Sequence, residues 1–228
     1  MIGAEALVRK MEEDGSLVPP GKFIPLYDMG GVIRYVDLFV LDAVCRDIRK
    51  WLDQGYHMRI SVNFSRITLL ESDIVEVIGE ICARHHVPTS VIAIEVTESI
   101  GKMGNEQSKE LTAKLKEAGF SISLDDFGSQ YSNLAILATM HFDEVKFDRS
   151  LVSMLEENEK SRVVMECGLG LCHALKGTTS LAEGIETKGQ ADLLTSYNCD
   201  YGQGYYFSKP IPRDQFDVYL KDHVKGRN

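Results

Sequence analysis

Short runs rich in Val, Ile and Phe alternate along the chain with longer stretches in which apolar residues recur at helical spacing. The short runs cover 2–7, 58–64, 91–97, 121–125, 144–147, 179–182 and 202–207. Several are apolar almost throughout, the pattern of strands buried on both faces. Between them the spacing predicts helices over 35–54, 72–86, 105–118, 132–139, 159–175 and 188–197, with a closing helix over 214–223. Leu111, Leu115 and Ala118 share one face with lysines between them, and Gly119 follows where a helix-ending glycine belongs. Strands alternating with helices predict a parallel β/α architecture with right-handed crossovers.

The chemistry gathers where the apolar runs end. Glu5 lies in the first run and Asn63 ends the second. Glu95 and Glu98 lie in and after the third, and Asp125 and Asp126 end the fourth. Lys146 lies in the fifth, Glu183 and Glu186 follow the sixth, and Gln203 lies in the seventh. In a parallel β/α barrel all strand C-termini point to one face, which carries the active site. A single carboxylate after a strand most often caps the next helix. That explanation weakens when nearly every strand carries a polar residue, and Glu95, between Ile94 and Val96, is poorly placed to cap anything.

Convergent carboxylates repel one another unless something neutralises them. Hard divalent cations do so, and carboxylates plus an amide oxygen suit Mg²⁺ or Mn²⁺. The adjacent Asp125 and Asp126 suggest a ligand bridging two metals about 3.5–4 Å apart, an arrangement that activates water for phosphodiester cleavage. Lys146 is suited to a phosphate oxygen or to the attacking water. The residues therefore read as a metal-dependent hydrolase acting on a phosphoester.

Composition narrows this reading. The chain has 228 residues, slightly short for a barrel that takes roughly 250. Acidic residues outnumber basic ones by 34 to 25, a net charge of −9, which argues against a protein that coats a DNA or RNA polymer. A small phosphate ligand is compatible with that charge when bound cations supply the positive field. No apolar run approaches the roughly 20 residues of a membrane span, and residues 1–10 lack a signal-peptide pattern. Five cysteines without a CxxC pair predict reduced and mostly buried thiols in a cytoplasmic setting. The histidines lack zinc-ligand spacing. Trp51 reads as a core residue, and 11–15 as an acidic surface loop.

The ordered motifs carry a resemblance. Glu5-Ala6-Leu7 is followed by PPGKFIP (19–25), SVNFS (61–65), EVTES (95–99), DDFGSQYSNL (125–134), VKFD (145–148), AEGIET (182–187) and QGYYFSKP (203–210). Together they resemble the EAL domains, bacterial cyclic di-GMP phosphodiesterases, over essentially the whole chain. The resemblance implies an α/β fold, a TIM-like (β/α)8 barrel with one antiparallel strand. It implies hydrolysis of cyclic di-GMP to linear pGpG with a two-metal Mg²⁺ or Mn²⁺ site. By motif, Glu5, Asn63, Glu95 and Asp125 hold the first metal, and Asp125 bridges to a second that Asp126 also binds. Lys146 positions the attacking water, Glu183 assists as ligand or base, and Gln203 orders water at the metals. Arg9 pairs with a substrate phosphate, Asp148 contacts the substrate or orders the loop after Asp126, and Tyr205 is a candidate for stacking on guanine. Glu98 anchors that loop and Glu186 supports the site.

Two departures stand out. Gln130 occupies a position where the family usually has glycine, and only residues 1–4 precede Glu5, so the usual first strand is missing. Residues 1–228 are accordingly expected to be a single, N-terminally truncated EAL domain from a longer protein, with sensor or GGDEF domains and a homodimer as family expectations. The departures also motivate a second class of function, a non-catalytic cyclic di-GMP receptor or protein-interaction module.

Overall fold

The apolar runs become strands that alternate with helices along most of the chain. The structure, a computed structural model, describes residues 1–103, 105–129 and 134–224 in two compact units, Met1–Ser121 and Ile122–Asn228.

The first unit contains β1 (Gly3–Ala6), β2 (Lys10–Met11), β3 (Leu17–Val18), α1 (Pro20–Met29), α2 (Ile33–Asp53), β4 (Arg59–Asn63), α3 (Arg66–Leu69), α4 (Ile74–Arg84) and β5 (Ile92–Thr97). A 3-10 turn over Glu98–Met103 and α5 (Asn105–Glu117) complete it. Strands β1, β4 and β5 pair in parallel, with Glu5 opposite Ser61 and Asn63 opposite Glu95. Their apolar residues are joined in the core by Leu41, Cys45 and Ile48 of α2 and by Ile74, Ile78 and Cys82 of α4. The Cys45 and Cys82 sulfurs sit 3.8 Å apart, fully buried, and fasten these two helices face to face. Trp51 is buried, as expected. The acidic loop is the turn of a small antiparallel hairpin, in which Lys10 of β2 pairs with Val18 of β3. Gly15 turns it at φ +81, and Asp14 accepts from the Ser16 amide at 2.9 Å.

The second unit contains β6 (Ser121–Phe127), α6 (Ala135–Thr139), β7 (Glu144–Phe147), α7 (Arg149–Ser153), α8 (Glu159–Ala174), β8 (Thr179–Ala182), α9 (Lys188–Ser196), β9 (Tyr201–Gly202) and α10 (Arg213–Val224). Strands β6 to β9 pair in parallel in chain order. Leu124, Val145, Phe147, Met165, Leu169 and Cys172 are buried, and Phe127 meets Phe147 edge-on at 5.5 Å.

Two expectations need correction. The sequence pattern does not predict helix α1, because Pro20-Gly21 reads as a loop; Pro20 instead starts the helix, where its missing N–H costs nothing. The pattern predicts the last strand over 202–207, but it is confined to Tyr201–Gly202. Gly204, at φ +154, turns the chain so close to Ile185 that a Cβ would overlap its backbone, and Tyr205, Tyr206 and Phe207 are left exposed. Gln130 lies outside the described residues.

Candidate functional site

Parallel register builds the first cluster. Asn63 and Glu95 are direct cross-strand partners, so their side chains leave the sheet on one face. Glu5 is opposite Ser61, two residues before Asn63 and therefore on the same face. The Asn63 amide donates to Glu5 Oε1 and to Glu95 Oε2, both at 2.9 Å. Glu95 is 1% exposed, whereas Asn63 is open to solvent. The loop after Asn63 is fixed from below: buried Asp37 of α2 accepts from the Ser65 amide at 3.0 Å and from the Thr68 hydroxyl at 2.6 Å. Burial pushes the Asp37 carboxyl above its ordinary range.

A bulge builds the second cluster. Leu124 pairs with Val145 and Phe127 with Phe147, so two residues, Asp125 and Asp126, oppose the single Lys146. Neighbouring residues of a regular strand point to opposite faces. Here Asp126 takes a left-handed backbone, φ +58, and its carboxylate joins that of Asp125. One carboxylate oxygen from each of Asp125, Asp126 and Glu183 lies within 4.8 Å of the other two.

Lys146 enters this group from β7 and is 1% exposed. Its Nζ is 3.2 Å from Asp125 Oδ1 and 2.7 Å from Glu183 Oε1. Gln203 follows β9, and its amide donates to the same Glu183 oxygen at 2.6 Å. Below Lys146 on the same face of β7, buried Glu144 accepts from the Ser123 hydroxyl at 3.1 Å.

The donor set fits a divalent cation. It consists of carboxylate oxygens, with no sulfur or imidazole, which suits hard ions of the Mg²⁺ and Mn²⁺ type. Three carboxylates against one ammonium leave the group short of positive charge, and a cation supplies the difference.

The remaining predicted residues have other places. Glu98 begins the 3-10 turn after β5, half-buried. Arg9 is exposed and donates to the Val8 carbonyl at 2.8 Å. Asp148 caps α7, accepting from the Ser150 amide at 2.9 Å and from the Ser150 hydroxyl. Glu186 pairs with Arg149 at 3.2 Å. Tyr205 is exposed, with Lys209 Nζ 5.6 Å from its ring centre. Sequence reasoning missed Gln190, a buried side chain at the head of α9 that holds the backbone of Glu186 and Thr187. The spacing Thr187-x-x-Gln190 is a capping-box signature that could have revealed it.

Comparison with known proteins adds an independent line. The EAL domain family model matches residues 1–210. The chain is 33% identical over 216 residues to the bifunctional diguanylate cyclase/cyclic di-GMP phosphodiesterase MucR of Pseudomonas aeruginosa, covering 94% of this chain and 31% of that protein. It is 33% identical over 224 residues to the probable cyclic di-GMP phosphodiesterase PdeB of Escherichia coli K12, covering 98% of this chain and 42% of that one. The chain thus spans less than half the length of these relatives. A solved c-di-GMP complex of the MucR phosphodiesterase superposes with a TM-score of 0.89 at 33% identity, over 95% of this chain and 87% of that one. The α/β, TIM-like fold class read from the sequence is the class this likeness supports.

Proposed function

Because the chain belongs to the EAL domain family, we propose that it is a metal-dependent phosphodiesterase that hydrolyses cyclic di-GMP to linear pGpG. The observation that carries this reading is the second cluster, where a bulge, a buried lysine and three strand-end carboxylates meet. The names of the relatives support the same substrate.

Glu5, Asn63, Glu95, Asp125 and Asp126 are the proposed metal ligands, with Glu183 as ligand or base. Magnesium or manganese bound there supplies Lewis acidity toward a phosphate oxygen and lowers the pKa of water. The protein's own groups set the geometry. Lys146, neutralised by Asp125 and Glu183 and shielded from solvent, offers a fixed ammonium to the attacking water or to a phosphate oxygen. Gln203 holds Glu183 by its amide and so fixes the orientation of that carboxylate. Arg9, Asp148 and Tyr205 are the proposed substrate contacts, and Glu98 and Glu186 support the loops. The reading takes residues 1–228 as one EAL domain of a longer cytoplasmic signalling protein, acting as a homodimer alongside sensor or GGDEF domains. No described helix is long and apolar enough to cross a membrane.

The test is direct. Purified chain, with Mg²⁺ or Mn²⁺, is incubated with cyclic di-GMP and the products are separated chromatographically. Formation of pGpG that needs the metal and disappears in Asp126→Asn is expected. Cyclic di-GMP binding without turnover at saturating metal would overturn the enzymatic reading in favour of a receptor.

A further inference from the structure

The residues from Glu183 to Thr187 form a short strap between β8 and α9, and Glu183 is delivered to the carboxylate cluster from its first position. The strap is tied on both flanks. On one side the Ile185 amide donates to the Gln203 carbonyl at 3.0 Å, and the Tyr206 amide donates to the Ile185 carbonyl at 2.9 Å. On the other side stands Gln190, 6% exposed. Its side-chain carbonyl accepts from the Glu186 amide at 2.7 Å and from the Thr187 amide at 3.1 Å. Thr187 returns the contact, its hydroxyl oxygen accepting from the Gln190 amide at 3.1 Å. That hydroxyl also donates to Glu156 at 2.6 Å, and Gly184 bends the strap at φ +68.

We infer that Gln190 is a positioning residue for the metal cluster, acting through the strap on Glu183 rather than by touching substrate or cation. Resting on the proposed function, this extends it to a residue outside the set of ligands. The physical reason is the cost of releasing the strap. Without Gln190, the amides of Glu186 and Thr187 lose their acceptor, and the strap relaxes toward water to satisfy them. Glu183 begins that strap, so its carboxylate loses its fixed distance from Asp125 and Asp126. A capping role alone would lower stability and leave the cluster untouched.

Two variants separate these roles. Gln190→Met keeps the buried volume and removes the acceptor. Gln190→Glu keeps the acceptor and recreates the capping box in its carboxylate form. A control, Asn158→Ala, removes the cap of α8, where Asn158 accepts from the Lys160 and Ser161 amides. The readout is Mn²⁺ binding by the full chain, followed by the paramagnetic resonance of free Mn²⁺, with pGpG kinetics alongside.

Gln190→Met is expected to weaken Mn²⁺ binding and lower kcat, each about tenfold, the usual scale for partners behind the ligands. KM should stay within about twofold, since no substrate contact is removed. Gln190→Glu should restore both, and Asn158→Ala should leave both unchanged despite its lost cap. Wild-type Mn²⁺ affinity in Gln190→Met, or an equal shift in Asn158→Ala, would overturn the inference. Absence of Mn²⁺ binding by the wild-type chain would sink the metal reading itself, and the inference with it. A measurement on the wild type stands even if Gln190→Met does not fold. The amides of Glu186 and Thr187 should exchange with solvent only slowly, and free exchange there would overturn the role assigned to Gln190.

Discussion

Asp126 stands opposite Lys146 as the extra residue of the bulge between β6 and β7, held in a left-handed backbone at φ +58. That conformation costs an ordinary side chain about 1–2 kcal/mol, and glycine far less. Asp126→Gly should therefore raise metal-free stability by about 1 kcal/mol, from relieved strain and one fewer like charge. The same change should lower pGpG formation by about a hundredfold or more, because the second carboxylate of the pair is gone. Urea midpoints and initial rates check both halves. A less stable but active Asp126→Gly would contradict the assignment of strain to function.

Lys146 compensates two carboxylates from a position almost without solvent. Lys146→Met should destabilise the metal-free chain by about 3 kcal/mol, the scale for removing one partner of a buried pair. Added Mn²⁺ should recover more stability in the variant than in the wild type, since it replaces the missing charge. Urea unfolding with and without Mn²⁺ measures the difference, and equal recovery in the two proteins would argue against a shared cation role.

Asn63 donates to two carboxylates at once. Asn63→Asp replaces the donor by a third like charge, so the metal-free protein should lose about 1 kcal/mol, a modest figure because the position is open to water. Unfolding curves should show that loss shrinking as Mg²⁺ rises. A loss independent of Mg²⁺ would separate Asn63 from cation binding.

Asp37 gives a pH dependence of known sign. Burial raises its carboxyl above the ordinary carboxylate range, so the folded chain holds this proton more tightly than the unfolded one. Its contribution to stability is present below the unfolded value and is lost as pH rises through the raised folded value. The amide introduced by Asp37→Asn does not titrate, and its oxygen can still accept from Ser65 and Thr68. Asp37→Asn should therefore gain stability relative to wild type as pH rises from acidic to neutral. Urea midpoints at pH 4 and pH 7 test this, and a gain confined to pH 4 would reverse the sign.

What the sequence revealed and what it hid follow from range of interaction. A run such as 91–97 is legible because burial on both faces leaves few polar positions, whereas 144–147 is buried throughout despite its two charges. Glu95 and Lys146 stand out as charges inside those runs. The turn at Gly204 is hidden, because Tyr205–Phe207 has a strand's composition while facing solvent. Asp126 is legible as chemistry but not as geometry: the bulge depends on how β6 meets β7, and nothing local announces a left-handed aspartate. Gln190 is hidden for the opposite reason. Its cue is local, but it sits on α9, three residues past the end of the AEGIET run at Thr187, where the motif looks complete.

The thiols give each unit its own clock. Cys45 and Cys82, in sulfur contact between α2 and α4, react with a thiol reagent only when that helix pair opens. Their hydrogen bond, with burial, pushes the Cys45 thiol upward, and burial pushes Cys172 up to about 12, so neither reacts appreciably while folded. Cys167, exposed on α8, reacts at once and fixes the zero of the time course. Mass-resolved labelling of the unaltered chain therefore reads the opening of Met1–Ser121 and of Ile122–Asn228 separately, in one sample and without an engineered probe. Repeating it with Mn²⁺ and cyclic di-GMP would report which half is braced by its ligands.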